Sequence, residues 1–508
     1  MRWRKRLRAA LGPAQTEHER NLTAEGLTKP GHVAAARDAG PGKVVVVIPA
    51  HDEEELIGEA LESLAAQTRP ADEVIVVADR CGDHTSEIAI ARGATVIETT
   101  GNLHQKAGAI NQVLDDLLPR LSNNDAVLMM DADTSLSPGF ISEAALRLRE
   151  PEGDEARVGA VGGIFFGCFP VEGLIGHLQD NEYVRYAREI GRRQGRADVL
   201  TGTGALFSVR ALLEVKRARS SGELPRGKGV YDVEALTEDN ELTLALKHLG
   251  YKCVSPKACT VGTRLPTTVS RLFYQRLRWQ RGALENLRAY GVNRETLPYI
   301  GRQILTYVGV AFVPFYLTVL IYTLLANGSI AWPLFWIAVT AFVVFERTWS
   351  VRRGGWRAVG LSALVVPEVT YDVFLHSVYV KAGIDTVTGA RETWAHTFPV
   401  EAPGALWWRR VWDRIAVGVF GAIAIAAVVG LAFACLAVGI AWYVVAVLVL
   451  AFTAHAALRL SGLDPLGFAL GNGETADVDA SSASKPQGFG GWDVPAHAPS
   501  SASRGDWR

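Results

Sequence analysis

Apolar runs and amphipathic segments alternate along the first half of the chain. Four runs dominated by aliphatic residues lie at residues 43–49, 73–78, 94–98 and 126–130. Between them, apolar side chains recur at helical spacing, as in residues 54–66 and 106–118. Strands without polar alternation are typical of a sheet that helices cover on both faces. This order predicts a doubly wound parallel α/β sheet with right-handed crossovers.

The pattern continues with wider spacing as far as about residue 300. Residues 158–166 are strand-like, residues 173–193 have an amphipathic helical pattern, and another helix begins at residues 237–239 and ends at Gly250. No G-x-G-x-x-G or Walker sequence follows the first strand. This argues against a dinucleotide-dependent enzyme or a P-loop NTPase.

The second half of the chain has the hydropathy of a membrane protein. Residues 304–326 are uncharged and apolar, residues 330–345 form a shorter apolar return, and residues 415–454 contain no charged side chain. The last stretch is about twice the length of one span and therefore predicts a helical hairpin. Arginine-rich loops flank these segments, so the positive-inside rule predicts a cytoplasmic α/β domain. We expect four spans, with five as the competing count.

One segment of this half does not fit a simple span. Residues 358–380 carry Glu368, Asp372 and His376 four residues apart on one helical face, and Pro367 interrupts the pattern. We interpret this segment as an interfacial or re-entrant amphipathic helix. The ordinary explanation of its acidic stripe is that it is the solvent-exposed face of that helix.

Composition limits the classes of function. The chain has 508 residues and a formal net charge of −1, so no global basicity indicates a nucleic-acid partner. Its five cysteines are scattered without metal-ligand spacing and fit a reducing cytosolic domain. The predicted organisation is a flexible basic arm at residues 1–40, an α/β domain at 41–300, transmembrane or interfacial helices at 301–460 and a disordered tail at 461–508.

Acidic side chains follow the predicted parallel strands where each strand ends. Residues 51–54 follow the first strand, Asp79 follows the second, and Asp131 and Asp133 follow the fourth. Open α/β sheets bind ligands at the carboxyl ends of their strands. Paired hard oxygen ligands suit Mg²⁺ or Mn²⁺ carrying a substrate diphosphate. The alternative is that Asp131 and Asp133 only cap and solvate a loop.

Other candidate residues have equally ordinary explanations. Lys106 begins a helix, where it could meet a phosphate or be a surface lysine. Gly202 and Gly204 would allow a backbone to approach a ligand closely, or would form an ordinary tight turn. Glu238 and Asp239 begin another helix, where a carboxylate could accept a proton or only favour the helix dipole.

The sequence QRLRW at residues 275–279 places Gln275, Arg278 and Trp279 on one face of a helix. A guanidinium can hold a phosphate through paired hydrogen bonds, and an indole provides a flat surface for a sugar ring. The alternative is a basic, tryptophan-containing collar beside a membrane. Both interpretations can hold together.

Taken together, these motifs carry a resemblance to a known family. The order IPAHDEEELI, ADRCGDHT, KAGAIN, DAD, TED and QRLRW resembles the inverting family 2 glycosyltransferases. It is most similar to their membrane-embedded processive branch, which includes cellulose, hyaluronan and chitin-oligosaccharide synthases. The resemblance covers residues 44–288. It implies a GT-A domain followed by an α-helical transmembrane region at the plasma membrane, with a nucleotide-sugar donor and Mg²⁺ or Mn²⁺.

The resemblance also implies roles for single residues. Asp239 matches the general base, with Glu238 beside it, and Asp131 and Asp133 match the metal-diphosphate motif. The residues implied in donor binding are Asp79, Lys106, Asp131 and Arg278, and those implied in acceptor binding are Trp279, Gln275, Gly202 and Gly204. The sequence departs from the family pattern at Ala78 and Asp52, where a second Asp and an Asn are common.

Three functions are compatible with the sequence. The first is processive polysaccharide synthesis by a hexosyltransferase, coupled to export, with a UDP-sugar donor expected from the resemblance and a glycan as acceptor. The second is transfer of one sugar to a lipid or polyprenyl phosphate. The third is non-enzymatic: a membrane transporter or sensor whose α/β domain binds a nucleotide.

Overall fold

The structure, a computed structural model, describes residues 41–148, 157–168, 171–193, 195–225, 227–327 and 334–389, and residues 444, 445 and 447. The strands in this part of the chain are β1 (Val44–Ala50), β2 (Glu73–Ala78), β3 (Thr95–Glu98), β4 (Ala126–Met130), β5 (Ser135–Leu136), β6 (Val158–Gly162), β7 (Ile164–Gly167), β8 (Gly204–Ser208), β9 (Lys252–Val254) and β10 (Thr260–Thr263).

The α-helices alternate with these strands and then continue alone. They are α1 (Ile57–Ala65), α2 (Thr85–Ala91), α3 (Gln105–Leu117), α4 (Phe140–Arg147), α5 (Gly173–Arg192), α6 (Val209–Ser220), α7 (Glu238–His248), α8 (Val269–Tyr290), α9 (Leu297–Asn327), α10 (Leu334–Ser350), α11 (Trp356–Ala363) and α12 (Val366–Thr388). Short 3₁₀ turns lie at Leu118–Arg120 and Arg352–Gly354.

A seven-stranded sheet in the order β3-β2-β1-β4-β8-β6-β9 forms the centre of the α/β part. The strands β1 to β4 are parallel, as predicted. The prediction of a parallel sheet is wrong for β8, which is antiparallel to both β4 and β6. Its first residue, Gly204, pairs with Met130, the last residue of β4. The loop before β8 therefore reaches the carboxyl end of β4, an arrangement that strand hydrophobicity does not encode.

The strand order reverses next to β1. The chain runs outward from β1 to β2 and β3 and then returns to β4 on the other side of β1. The crevice at such a reversal is where open α/β sheets bind ligands. A small second sheet, β5-β10-β7, flanks the main one.

Two hydrophobic clusters cover the two faces of the main sheet. Alternate residues of β1 point to opposite sides, so Val45 and Val47 contact one cluster and Val44, Val46 and Ile48 contact the other. The first cluster includes apolar side chains of α3, α6 and α7, and the second includes those of α1 and α4. Burial on both faces explains why these strands read as continuous apolar runs.

The helices α5, α8 and α12 pack together beside the α/β part. Leu178 of α5, Leu272 of α8 and Tyr371 of α12 belong to one buried cluster, and Leu277 of α8 packs with Val378 in another. The motif at residues 275–279 lies within α8. Its helix is therefore held between α5 and the later helix α12.

In the part of the chain that the structure describes, one helix is long and apolar enough to cross a membrane. This is α9, with 31 residues, whose most apolar 18-residue window has a mean hydropathy of 2.1. The pair α11 and α12, bent by 77°, would make a second candidate if counted as one span. The predicted return at residues 330–345 corresponds to α10. The predicted hairpin at 415–454 lies almost wholly outside the described residues, and the arm at 1–40 and the tail at 461–508 lie entirely outside them.

The acidic stripe on α12 is not a solvent-exposed face, so the ordinary explanation does not hold. Glu368 is 2% exposed and forms ion pairs with Arg185 of α5 and Arg347 of α10. Asp372 pairs with the same Arg347. Because a buried carboxylate requires compensating charge, the stripe joins α12 to the neighbouring helices.

Candidate active site

The centre of the candidate site is the side-chain ammonium of Lys106. Its Nζ lies 2.6 Å from Asp131 Oδ1 and 2.9 Å from Glu238 Oε1. Lys106 is in the first turn of α3, Asp131 follows β4 and Glu238 begins α7. Three segments that are distant in sequence therefore meet at one cation, and Lys106 is not the surface lysine of the alternative interpretation.

Asp239 and Gly202 lie beside this ion cluster. The backbone N–H of Gly202 donates to Asp239 Oδ2 over 2.9 Å. A Cβ built on Gly202 would lie 2.9 Å from Lys106 Nζ, so this position has no room for a side chain unless the lysine moves. Gly204 lies deeper, where a Cβ would come within 3.1 Å of Leu136 and 3.2 Å of Val261. Its lack of a side chain serves packing between the two sheets.

The cluster tunes the proton affinity of its members. Burial would lower the pKa of Lys106, but the charges of Asp131 and Glu238 raise it well above its usual value. Burial opposes ionisation of Glu238, and the Lys106 charge outweighs this and lowers its pKa. Burial and the Glu238 charge raise the pKa of Asp239. Asp239 is therefore the more basic carboxylate of the pair, which suits a proton acceptor.

A second group of carboxylates lies next to Asp131. Burial and the Asp131 charge raise the pKa of Asp133 to about 6. Burial, followed by the charges of Asp133 and Asp131, raises the pKa of Glu53 to about 7. Clustered, partly desolvated carboxylates that raise one another's pKa are stabilised by a divalent cation. The oxygen donors present therefore fit Mg²⁺ or Mn²⁺.

Glu53 was not singled out from the sequence. The polar run after β1 indicated the region, since residues 51–54 follow that strand. Nothing in the run distinguishes Glu53 from Glu54, because both are acidic residues of one short loop. Only the fold shows that Glu53 is half-buried and that the charges of Asp131 and Asp133 raise its pKa. Glu54, in contrast, is exposed.

A separate trio of potential metal ligands, Asp52, Cys81 and Asp83, lies close together at the surface. The carboxylates of this trio already accept hydrogen bonds that shape their turns. Asp52 Oδ1 accepts from the N–H of Gly82 over 2.7 Å, and Asp83 Oδ2 accepts from the N–H of Glu54 over 2.9 Å. These hydrogen bonds explain why the three side chains lie close together without a bound ion.

Asp79 is buried at the end of β2, 6% exposed. It accepts hydrogen bonds from the hydroxyl of Thr99 over 2.6 Å and from the amide of Asn102 over 3.0 Å. Asn102 also donates to the carbonyl of Gln105 over 2.8 Å. Asp79 therefore fixes the loop that leads directly into Lys106, and Asn102 is a site-supporting residue that the sequence did not reveal.

The motif helix α8 approaches the cluster from another side. The charge of Arg278 is one of the interactions that lower the pKa of Glu238. Gln275 Oε1 is buried and has no hydrogen-bond partner among the described residues. The ring of Trp279 lies against the guanidinium of Arg276, whose carbon is 4.6 Å from the ring centroid. The structure thus brings Arg278 towards the carboxylates and stacks Trp279 on its own helix.

Arg276 anchors α8 to the rest of the domain. Its guanidinium donates to both oxygens of Glu182 on α5, each over 2.9 Å. The hydroxyl of Tyr371 on α12 donates to the same Glu182 over 2.7 Å. Glu182 and Tyr371 carry no recognisable motif, and their role in holding α8 follows only from the packing.

The motif helix also packs tightly against the start of α7, where Glu238 and Asp239 lie. Thr237 occupies the N-cap position of α7 but makes no side-chain capping bond. Its hydroxyl and its carbonyl instead accept from the Asn286 amide of α8, each over 3.3 Å. A Cβ built on Gly282 would come within 2.7 Å of Thr237 Cγ2. Gly282 therefore permits the close approach of α8 and α7.

Comparisons with known proteins match the part of the chain that contains this site. Residues 41–282 match the family model described as "Glycosyltransferase like family 2". This segment contains β1 to β10 and the first part of α8, so it includes every residue of the candidate site.

The individual relatives share less than 30% sequence identity with this chain. The chain is 28% identical over 250 residues to the probable glycosyltransferase YdaM of Bacillus subtilis, covering 47% of this chain and 55% of the relative. It is 24% identical over 250 residues to a poly-beta-1,6-N-acetyl-D-glucosamine synthase of Staphylococcus aureus, covering 48% and 55%. The chain thus spans about half the length of the curated relatives it matches.

Among solved structures, the chain is similar to the mannosyltransferase PcManGT from Pyrobaculum calidifontis, which was solved in complex with GDP-Man and Mn²⁺. The sequence identity is 17%, the TM-score is 0.41, and the match covers 69% of this chain and 88% of that one. A likeness at this level supports no argument about ligands.

The substitution Gly282→Ala tests the contact between α8 and α7. The new methyl group would overlap the side chain of Thr237, and such overpacking costs about 1–3 kcal/mol. We expect a lower midpoint of thermal unfolding for the full-length protein. Gly309→Ala in α9 is the matched control, because a Cβ there meets nothing within 4 Å. Equal midpoints for the two variants would contradict the close packing.

The acidic group around Glu53 predicts a pH dependence of stability in a metal-free, chelator-containing buffer. The pKa of Glu53 in the folded protein, about 7, lies above the ordinary glutamate value of 4.5. Ionisation therefore destabilises the fold progressively as pH rises from 4.5 to 7, and the penalty persists above 7. Glu53→Gln should raise the thermal midpoint at pH 8 by about 2 °C and leave it unchanged near pH 4. The exposed Glu59→Gln is the control, and an equal or larger gain at low pH would refute the interpretation.

Proposed function

We propose, because residues 41–282 match the model of the family described as "Glycosyltransferase like family 2", that the protein is an inverting hexosyltransferase that uses a nucleotide-sugar. The observation that carries the proposal is the Lys106 ammonium shared by Asp131 and Glu238, with Asp239 beside it. Two motifs therefore bring their carboxylates to the same lysine. The motif with Asp131 is suited to holding a diphosphate through a metal, and the motif with Asp239 is suited to accepting a proton.

Asp239 is the proposed general base. In a single in-line displacement, an acceptor hydroxyl oxygen forms a bond to the anomeric carbon while the bond from that carbon to the diphosphate breaks. The hydroxyl proton passes to Asp239, whose raised pKa favours its capture. The N–H of Gly202 holds the carboxylate in position.

The leaving diphosphate requires positive charge. Asp131 and Asp133 would hold the divalent metal, which supplies Lewis-acid stabilisation to phosphate oxygens when bound. Lys106 and Arg278 add fixed positive charge on the side of Glu238. Asp79 holds the loop before Lys106 in place and so contributes indirectly to binding of the nucleotide-sugar.

Two kinds of acceptor remain in competition. Processive synthesis of a polysaccharide, with export through the membrane, is supported by the relative named as a poly-beta-1,6-N-acetyl-D-glucosamine synthase. Gln275 and Trp279 would then contact the acceptor end of the growing chain, together with Gly202 and Gly204. Transfer of one sugar to a lipid or polyprenyl phosphate is the second candidate. It stays open because the four or five spans predicted from the sequence are few for a wide channel.

A transfer assay separates these functions. The purified protein in lipid, with Mn²⁺ or Mg²⁺, is supplied with a panel of radiolabelled nucleotide-sugars, and the products are separated by size and by extraction into organic solvent. High-mass product supports polysaccharide synthesis, whereas labelled lipid supports single transfer. No transfer from any donor would reject the proposed activity and leave a binding protein.

Removal of the base should separate chemistry from binding. We expect Asp239→Asn to reduce the transfer rate by about 10²–10⁴-fold while donor affinity changes little, because the side chain keeps its size and loses its basicity. Asp115→Asn, at a surface residue paired with Lys216, is the control. Transfer rate and donor binding are measured separately, the latter by calorimetry. Loss of donor binding in the Asp239 variant would contradict its role as base.

Removal of a metal ligand should act on binding itself. Asp131→Asn is expected to weaken Mn²⁺ binding in the presence of the nucleoside diphosphate by at least about tenfold, since one of two hard ligands is lost. Asp83→Asn, in the surface trio, serves as the matched control. Electron paramagnetic resonance of free Mn²⁺ measures the affinity. If the Asp83 variant loses affinity and the Asp131 variant does not, the metal lies at the trio instead.

A further inference from the structure

A cluster of arginines lies where α5 meets the turn between α10 and α11. The turn Arg352–Gly354 packs directly on α5, since a Cβ built on Gly354 would lie 3.7 Å from Val184 Cγ2. Arg185 of α5 also donates to Ser350 Oγ over 3.2 Å. Arg188 follows one helical turn after Val184 on the same face of α5. It therefore faces Arg352 and Arg353.

The charges of this cluster repel one another. Burial, followed by the charges of Arg192 and Arg352, lowers the pKa of Arg188 to about 10, and Arg353 adds to this effect. The carboxylate of Glu346 acts in the opposite direction without cancelling it. At neutral pH the guanidiniums keep their charge, so the repulsion persists in the folded protein. A bound anion would relieve the repulsion.

Exposed aromatic and aliphatic side chains surround the arginines. The Arg352 guanidinium carbon lies 3.9 Å from the ring centroid of Trp349, which is 43% exposed. Trp356, 79% exposed, carries Arg357 at 5.5 Å from its ring centroid. Leu364 is also exposed, at the bend between α11 and α12. Indoles beside guanidiniums are typical of the boundary between lipid head groups and acyl chains.

We propose that Arg188, Arg352 and Arg353 bind the phosphate groups of anionic phospholipids, with Trp349 and Trp356 inserted among the neighbouring head groups. The arginines supply charge complementary to a lipid phosphate. The exposed indoles provide an apolar contact that a free phosphate ion has no means of using. An acidic protein partner would match the charge but would leave the same indoles without an apolar phase.

The lipid site has a direct structural route to the transferase site. The helix α5 that carries Arg188 also carries Glu182, which holds Arg276 of the motif helix through two bonds of 2.9 Å. Anionic lipid would neutralise the end of α5 and so stabilise the helix that positions α8. The lipid site itself does not require the proposed transfer reaction to be correct.

The test measures lipid binding rather than transfer. The full chain is reconstituted in phosphatidylcholine bilayers containing spin-labelled phosphatidylglycerol or spin-labelled phosphatidylcholine, and electron spin resonance gives the motionally restricted fraction of each. The wild-type protein should prefer phosphatidylglycerol. Arg188→Gln and Arg353→Gln should each reduce this preference by about fivefold, the effect of one arginine near a charged bilayer. Arg217→Gln, at an exposed residue of α6 paired with Glu223, should leave it unchanged.

Several outcomes would overturn the proposal. They are equal restriction of the two lipids by the wild-type protein, an unchanged preference in both cluster variants, or an equal loss in the Arg217 control. Displacement of the labelled phosphatidylglycerol by millimolar inorganic phosphate would assign the cluster to a soluble anion. Circular dichroism and thermal midpoints check folding, and the Arg188 variant should unfold no earlier than the wild type, because it removes a repulsion.

Discussion

The arrangement of the candidate site depends on one buried cation among carboxylates. Asp131, Glu238 and Asp239 come from two separate segments, and without a positive charge between them their mutual repulsion and desolvation would oppose folding. Lys106 supplies this charge through contacts of 2.6 and 2.9 Å. The same contact makes the two carboxylates at the start of α7 unequal, since Glu238 keeps its charge and Asp239 becomes more basic. Structural stabilisation and preparation for proton transfer therefore have a common origin.

The motif helix α8 connects this centre to the apolar helices of the second half. On one side Gly282 and Asn286 bring it against Thr237, directly before Glu238. On the other side Arg276 is tied through Glu182 to Tyr371 of α12. A helix fixed at both sides can transmit the position of α12 to the carboxylates.

Much of the α/β part was predictable because burial on both faces leaves a strong sequence pattern. The bounds of β2 were predicted without error, and those of β1 and α3 to within one residue. The direction of β8 was wrong, because a short apolar strand reads the same in either direction. The stripe on α12 was also misread, since Glu368 has its partners Arg185 and Arg347 far away in the chain. Local patterns cannot distinguish a solvated carboxylate from one neutralised by distant residues.

The sequence by itself determined the alternation of strands and helices, the position of acidic residues at strand ends, and the motif order that resembles one enzyme family. These are local properties, fixed by side-chain type and spacing. Only the tertiary structure decided that Lys106 is shared by two motifs, that Gly202 touches Asp239 while Gly204 serves packing, and that Glu53 joins the acidic group. Such pairings depend on strand order and helix contacts between distant segments, which no short stretch of the sequence specifies.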